Sequence, residues 1–146
     1  MIIDDDIGNV RFLSVLLEEN GYETVCAMDG LEGMVEAKRE VPDLIVLDVM
    51  MPRKTGLSFL LSIKKERVLR DIPVIMQTAI SDVLTDMAEG AGGEVTFGME
   101  EMLAPRLKEI VGRLRKDGKN RPEIFIDKPI DPDTFINHVK SLIGPA

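Results

Sequence analysis

Six side chains with chemistry to offer stand where short apolar runs end. Met1 to Ile3 gives way to Asp4, Asp5 and Asp6, Leu44 to Leu47 to Asp48, and Val74 to Gln77 to Thr78; Ile124 to Ile126 is followed closely by Lys128 and Pro129. Carboxylates brought together in a partly desolvated cleft repel one another, and a divalent cation is the usual remedy. Hard oxygen donors with positions left for water and a phosphate oxygen favour Mg²⁺, or Mn²⁺ in its place. A carboxylate beside such a cation and a positioned ammonium is a nucleophile suited to phosphorus, because the cations neutralise charge that grows on the phosphoryl oxygens. Asp48 ends its run alone and is the candidate nucleophile; Thr78 offers a hydroxyl to one phosphoryl oxygen and Lys128 an ammonium to another.

These residues work together only if the chain folds their run ends to one place. The runs, with Glu23 to Ala27 as a further one, are dense in Ile, Val and Leu and alternate with stretches of helical period. Continuous apolar strands are what a parallel sheet covered on both faces requires. Val10, Leu13, Val15, Leu16 and Leu17 predict a first helix closed by Gly21; Leu31, Met34, Val35 and Ala37 predict a second; Leu57, Leu60, Leu61 and Ile63 predict a third. Pro132 opens a last helix carrying Phe135, Ile136, Val139, Leu142 and Ile143. Strands interleaved with helices predict an open, doubly wound α/β sheet, whose ligands bind at the carboxyl ends of the strands.

At this point the residues carry a family likeness. The stretch PDLIVLDVMMP from Pro42 to Pro52, with Gly56 after it, resembles the phosphoacceptor segment of response regulator receiver domains. The opening IIDDD resembles the family's acidic pair, IPVIMQTA its switch strand and IDKP its lysine strand. The resemblance implies a flavodoxin-like five-stranded parallel sheet of order 2-1-3-4-5. It implies that Asp48 is phosphorylated by a partner histidine kinase or phosphotransfer protein. Asp5 would bind the metal with Asp48, Asp4 would support it, and Met50 would lend its backbone carbonyl. Thr78 would be the switch hydroxyl, Ala79 a small neighbour that leaves room for the phosphoryl group, and Lys128 the phosphate-pairing lysine, preceding what is often a cis peptide to Pro129. Phe125 falls where the family often has an aromatic rotamer switch, although an aromatic at a strand end is also ordinary core.

One departure from the family is large and local. Thr78 and Lys128 stand 50 positions apart, about twice the usual interval, which predicts a helical insertion at approximately 93–121, between strands 4 and 5. Met99, Met102, Leu103, Leu107, Ile110, Val111 and Leu114 form an apolar helical stripe there. From 99 to 121, four acids face seven bases, a local charge of +3 that leaves −11 elsewhere. The insertion reads either as a partner-specific docking element or as a longer helix with a solvated charged face. The resemblance adds the possibility of a homodimer through residues 93–143.

With 146 residues and a net charge of −8, the chain is expected to be one receiver domain, 1–146, with no direct nucleic-acid binding. The single cysteine, Cys26, excludes an internal disulfide, and no apolar stretch is long enough to span a bilayer. Nothing argues for export, so a cytoplasmic location is expected. Cys26 reads as a small core residue, His138 as a surface residue and the nine methionines as core filling. The expected activity is a phosphorylation switch acting on a downstream protein target, not turnover of an external substrate. The alternatives are a phosphorylation-independent adaptor, an aspartate-nucleophile phosphatase and a flavin-binding module. Met50 lacks the acid–base side chain a phosphatase needs, and the chain lacks Trp and has one Tyr.

Overall fold

The computed structural model describes residues 1–49, 51, 55–78 and 121–146. In chain order the elements are β1 (Ile2–Ile3), α1 (Ile7–Glu19), β2 (Cys26–Ala27), α2 (Gly30–Glu40), β3 (Ile45–Asp48), α3 (Gly56–Lys65), β4 (Val74–Thr78), β5 (Ile124–Asp127) and α4 (Pro132–Ile143). The strands form one parallel sheet in the order β2-β1-β3-β4-β5. This is the expected topology; the expected insertion at 93–121 lies outside the described residues up to Arg121.

Strand alternation divides the apolar runs between two cores. Ile45, Leu47, Val74 and Met76 face one side, where Phe59, Leu60 and Ile63 of α3 and Ala37 of α2 cover them. Val46 and Ile75 face the other, under Leu13 and Leu17 of α1 and Phe135, Ile136 and Val139 of α4. A residue every second position into each core is why these strands read as unbroken apolar runs.

Two helical stripes lie differently from expectation. Leu31 and Val35 are 53% and 66% exposed, because Gly33 and Ala37 of α2 face the sheet instead. In α1, Leu13 and Leu17 point inward one turn apart, which turns Val15 outward. Small residues at the contact let α2 lie close to the sheet; of the expected stripe, Met34 and Ala37 pack on the core while Leu31 and Val35 do not.

Each described helix starts on a side-chain cap: Asp6, Asp29, Thr55 and Asp131 accept from backbone N–H groups of their first turns. Helix α1 ends with Gly21 at φ +86°, its N–H donating to Glu18 while that of Tyr22 donates to Leu17, both at 3.0 Å. This is the paired closure that a left-handed residue permits. Asp29 is buried and accepts from Leu31 and Glu32 at 2.9 Å each. Asp29→Ala is therefore expected to cost about 1 kcal/mol, a fall of about 4 °C in Tm by circular dichroism.

The entry to β5 is tied to two neighbours. Glu123 N–H donates to the Val74 carbonyl at 3.0 Å, and Val74 N–H donates back to Glu123 Oε2. Lys64 Nζ of α3 lies 3.6 Å from Glu123 Oε1 and donates to the Arg70 carbonyl at 3.2 Å. This clamp sits at the amino ends of β4 and β5, the end of the sheet away from Asp48.

Candidate functional site

The carboxyl ends of β1, β3, β4 and β5 gather Asp4, Asp5, Asp48, Thr78 and Lys128 in one place. Parallel register sets the layout: Asp48 pairs with Gln77 and Thr78 with Asp127. Lys128 N–H donates to the Thr78 carbonyl at 2.9 Å, fixing the lysine backbone beside the threonine. The Lys128–Pro129 peptide is cis.

Asp48 is positioned by a close approach. A Cβ on Gly56 would stand 2.1 Å from the Asp48 carbonyl oxygen, so only glycine lets α3 begin there. Gly56 N–H donates to the Val49 carbonyl at 3.1 Å, and Val49 N–H to that of Gln77 at 3.0 Å.

Oxygens from Asp4, Asp5 and Asp48 all lie within 4.8 Å of one another. Asp4 and Asp48 are buried and Asp5 is exposed. Asp6, read from the sequence as part of the same acidic run end, instead caps α1, its Oδ1 accepting from Gly8 at 2.8 Å and Asn9 at 3.2 Å. Lys128 Nζ stands 3.4 Å from both Asp4 Oδ2 and Asp48 Oδ1. Burial works to lower the Lys128 pKa, but the charges of Asp48 and Asp4, with hydrogen bonds to both, outweigh it and raise the value. Among the described residues, three carboxylates against one ammonium leave a net local charge of −2, which with oxygen donors alone suits a hard divalent cation. The residues present fit such an ion.

Thr78 is buried at the carboxyl end of β4. Phe125 is half-buried and packs against the core under α2 and α3. Met50 and Ala79 lie outside the described residues. Cys26 is half-buried, its Sγ 3.4 Å from Ser14 Oγ.

Two residues absent from the sequence reading join the site. Asn9 Nδ2 donates to Asp4 Oδ2 and, at 2.9 Å, to Gln77 Oε1. Gln77 carried a signal that was available: an amide inside a strand otherwise buried on both faces must find a partner. Asn9 carried none beyond standing in the first turn after an acidic strand end.

Comparison with known proteins agrees with this geometry. The family profile for the response regulator receiver domain matches residues 1–102. The polar-differentiation response regulator DivK of Brucella ovis is 33% identical over 146 residues, covering 100% of this chain and 96% of that protein. A probable transcriptional regulator, ycf27 of Porphyridium aerugineum, is 36% identical over 125 residues; the match covers 82% of this chain and 50% of that protein, about half its length. Among solved structures, the chemotaxis protein CheY4 of Vibrio cholerae superposes with a TM-score of 0.69 at 23% identity, over 97% of this chain and 94% of that one, a likeness of fold.

The sheet order and the acidic strand ends define a receiver-type α/β domain, the signalling module of two-component systems. The chain belongs to the response regulator receiver family. The profile match ends before β5, so the place of Lys128 in the site rests on the geometry. Among the described residues, no helix is long and apolar enough to cross a membrane.

Proposed function

We propose that Asp48 accepts a phosphoryl group from the phosphohistidine of a kinase or phosphotransfer protein, and that the acyl phosphate switches a protein-contact surface. The observation that carries this reading is Lys128 Nζ held 3.4 Å from both Asp4 and Asp48, with Asp5 beside them. A carboxylate oxygen of Asp48 attacks phosphorus, an O–P bond forms, the P–N bond breaks, and its electron pair returns to the imidazole nitrogen. Lys128 exchanges its carboxylate partners for a phosphoryl oxygen. Thr78 donates its hydroxyl to another, and Ala79 leaves space for the group. Asp5 and Asp48, with the Met50 carbonyl and with Asp4 behind them, would hold Mg²⁺ or Mn²⁺, which supplies positive charge to the phosphoryl oxygens as they become more negative.

The added phosphate brings about two negative charges beside Thr78 and Lys128. A shift of Thr78 toward it moves β4, and Phe125 responds in the neighbouring strand β5. The reading extends to one receiver domain over 1–146 in a cytoplasmic setting. Its downstream contact is a protein target, or a second copy engaged through the region of residues 93–143.

Intact mass after incubation with a small phosphodonor, with and without Mg²⁺, tests the chemistry. The expected result is one phosphoryl adduct that requires Mg²⁺. No adduct from either a small donor or a phosphorylated histidine kinase would favour the phosphorylation-independent adaptor instead.

A further inference from the structure

We infer that Asn9 and Gln77 are a positioning pair that sets the Asp4 carboxylate for cation binding, an inference that rests on the Mg²⁺ reading above. Gln77 is fully buried, and its Nε2 finds no hydrogen-bond acceptor among the described residues. By strand alternation it shares the sheet face of Ile75, the face covered by Leu13 and Phe135. A buried donor without a partner costs stability, and an apolar side chain of similar size avoids that cost. Stability alone therefore disfavours glutamine here. What glutamine supplies and methionine lacks is Oε1, the acceptor that takes an N–H from the Asn9 amide 68 positions away in sequence.

That contact fixes the plane of the Asn9 amide, so that Nδ2 also addresses Asp4 Oδ2. The Asn9 backbone is pinned in turn by the Asp6 cap. Asp4 has further partners, with Asp6 N–H donating to Oδ1 at 2.9 Å and Lys128 Nζ standing 3.4 Å from Oδ2. The lysine is the partner that leaves when a phosphoryl group arrives. The amide stays, and being uncharged it orients the carboxylate without cancelling the negative charge that a cation needs. Outer partners of this kind are worth 10- to 100-fold in metal affinity.

The test is calorimetric titration of the unphosphorylated full chain with Mg²⁺, beside melting curves in its absence, for the wild type, Gln77→Met, Asn9→Ala and Asp5→Asn. The expected result is binding by the wild type, none by Asp5→Asn, and a Kd about 10-fold higher in Gln77→Met although its Tm is unchanged or raised. Asn9→Ala should weaken binding at least as much; if it fails to fold, Gln77→Met decides. A purely structural pair would lower Tm and leave the Kd within about twofold of the wild type, and that outcome overturns the inference alone. No binding by the wild type overturns the Mg²⁺ reading and the inference with it.

Discussion

Asp48→Asn is expected to take up no phosphoryl group with Mg²⁺ present, and to melt no lower than the wild type without it. The first effect follows from the loss of the attacking oxygen, since an amide is no nucleophile toward phosphorus under these conditions. The second follows from the charges. Among the described residues, Asp48 faces two like charges within 4.8 Å, Asp4 and Asp5, and one opposite charge, Lys128, at 3.4 Å. Each pair interacts by on the order of 3 to 5 kcal/mol at an effective dielectric constant of about 20. Two repulsions then offset or exceed one attraction, and the neutral amide removes all three. The gain in Tm that Mg²⁺ gives the wild type should shrink in the variant. Intact mass and paired melting curves check this; an adduct on the variant would move the acceptor to another residue.

Lys128→Met is expected to lower stability by about 2 to 3 kcal/mol without Mg²⁺, because it removes the ammonium that stands 3.4 Å from both of the buried carboxylates Asp4 and Asp48. Breaking a fully buried pair in this way costs about 3 to 5 kcal/mol; the half-exposed lysine places this case lower. Millimolar Mg²⁺ should restore much of the loss by supplying positive charge to the same carboxylates. Phosphoryl uptake should fall about 100-fold even with Mg²⁺, the usual effect of removing one preorganised donor from a developing charge. Denaturant melts with and without Mg²⁺ and a time course by mass measure the two effects. An unchanged melt without Mg²⁺ would rule out Lys128 as the counter-charge.

The pH dependence of that contribution has a definite sign. The folded-state pKa of Lys128 lies above its ordinary value of 10.5. The stabilisation is therefore complete below 10.5 and is lost as pH rises through the folded value. Between about pH 6 and 9 Lys128 does not titrate, so any change of stability there must come from other groups.

Much of this arrangement is legible before folding. A parallel strand covered on both faces produces an apolar run with a sharp polar end, and the site lies at those ends. Asp48 and Lys128 could thus be singled out, although 80 positions separate them. Their distance from each other, and Lys128 shared between two carboxylates, could not. That Asp4 is buried, Asp5 exposed and Asp6 a helix cap could not be read from the residues themselves, because three identical side chains differ only in where the turn into α1 points them. Asn9 and Gln77 escaped notice since an amide chooses its partner in three dimensions. On α2, Ala37 and Met34 were legible as inward-facing, but Gly33 escaped because glycine carries no hydrophobic signal, and Leu31 and Val35 carry one yet face outward.

The clamp around Glu123 bears on how such a chain can diversify. Since β5 is registered against β4 from Ile124 onward, and its entry is anchored to Val74 and Lys64, the reach from Lys128 to Asp48 does not depend on how many residues join the two strands. Each doubling of a flexible connection costs only about 0.6 kcal/mol. Lineages can therefore lengthen, shorten or exchange that stretch while the spacing of Lys128 and Asp48 is inherited intact.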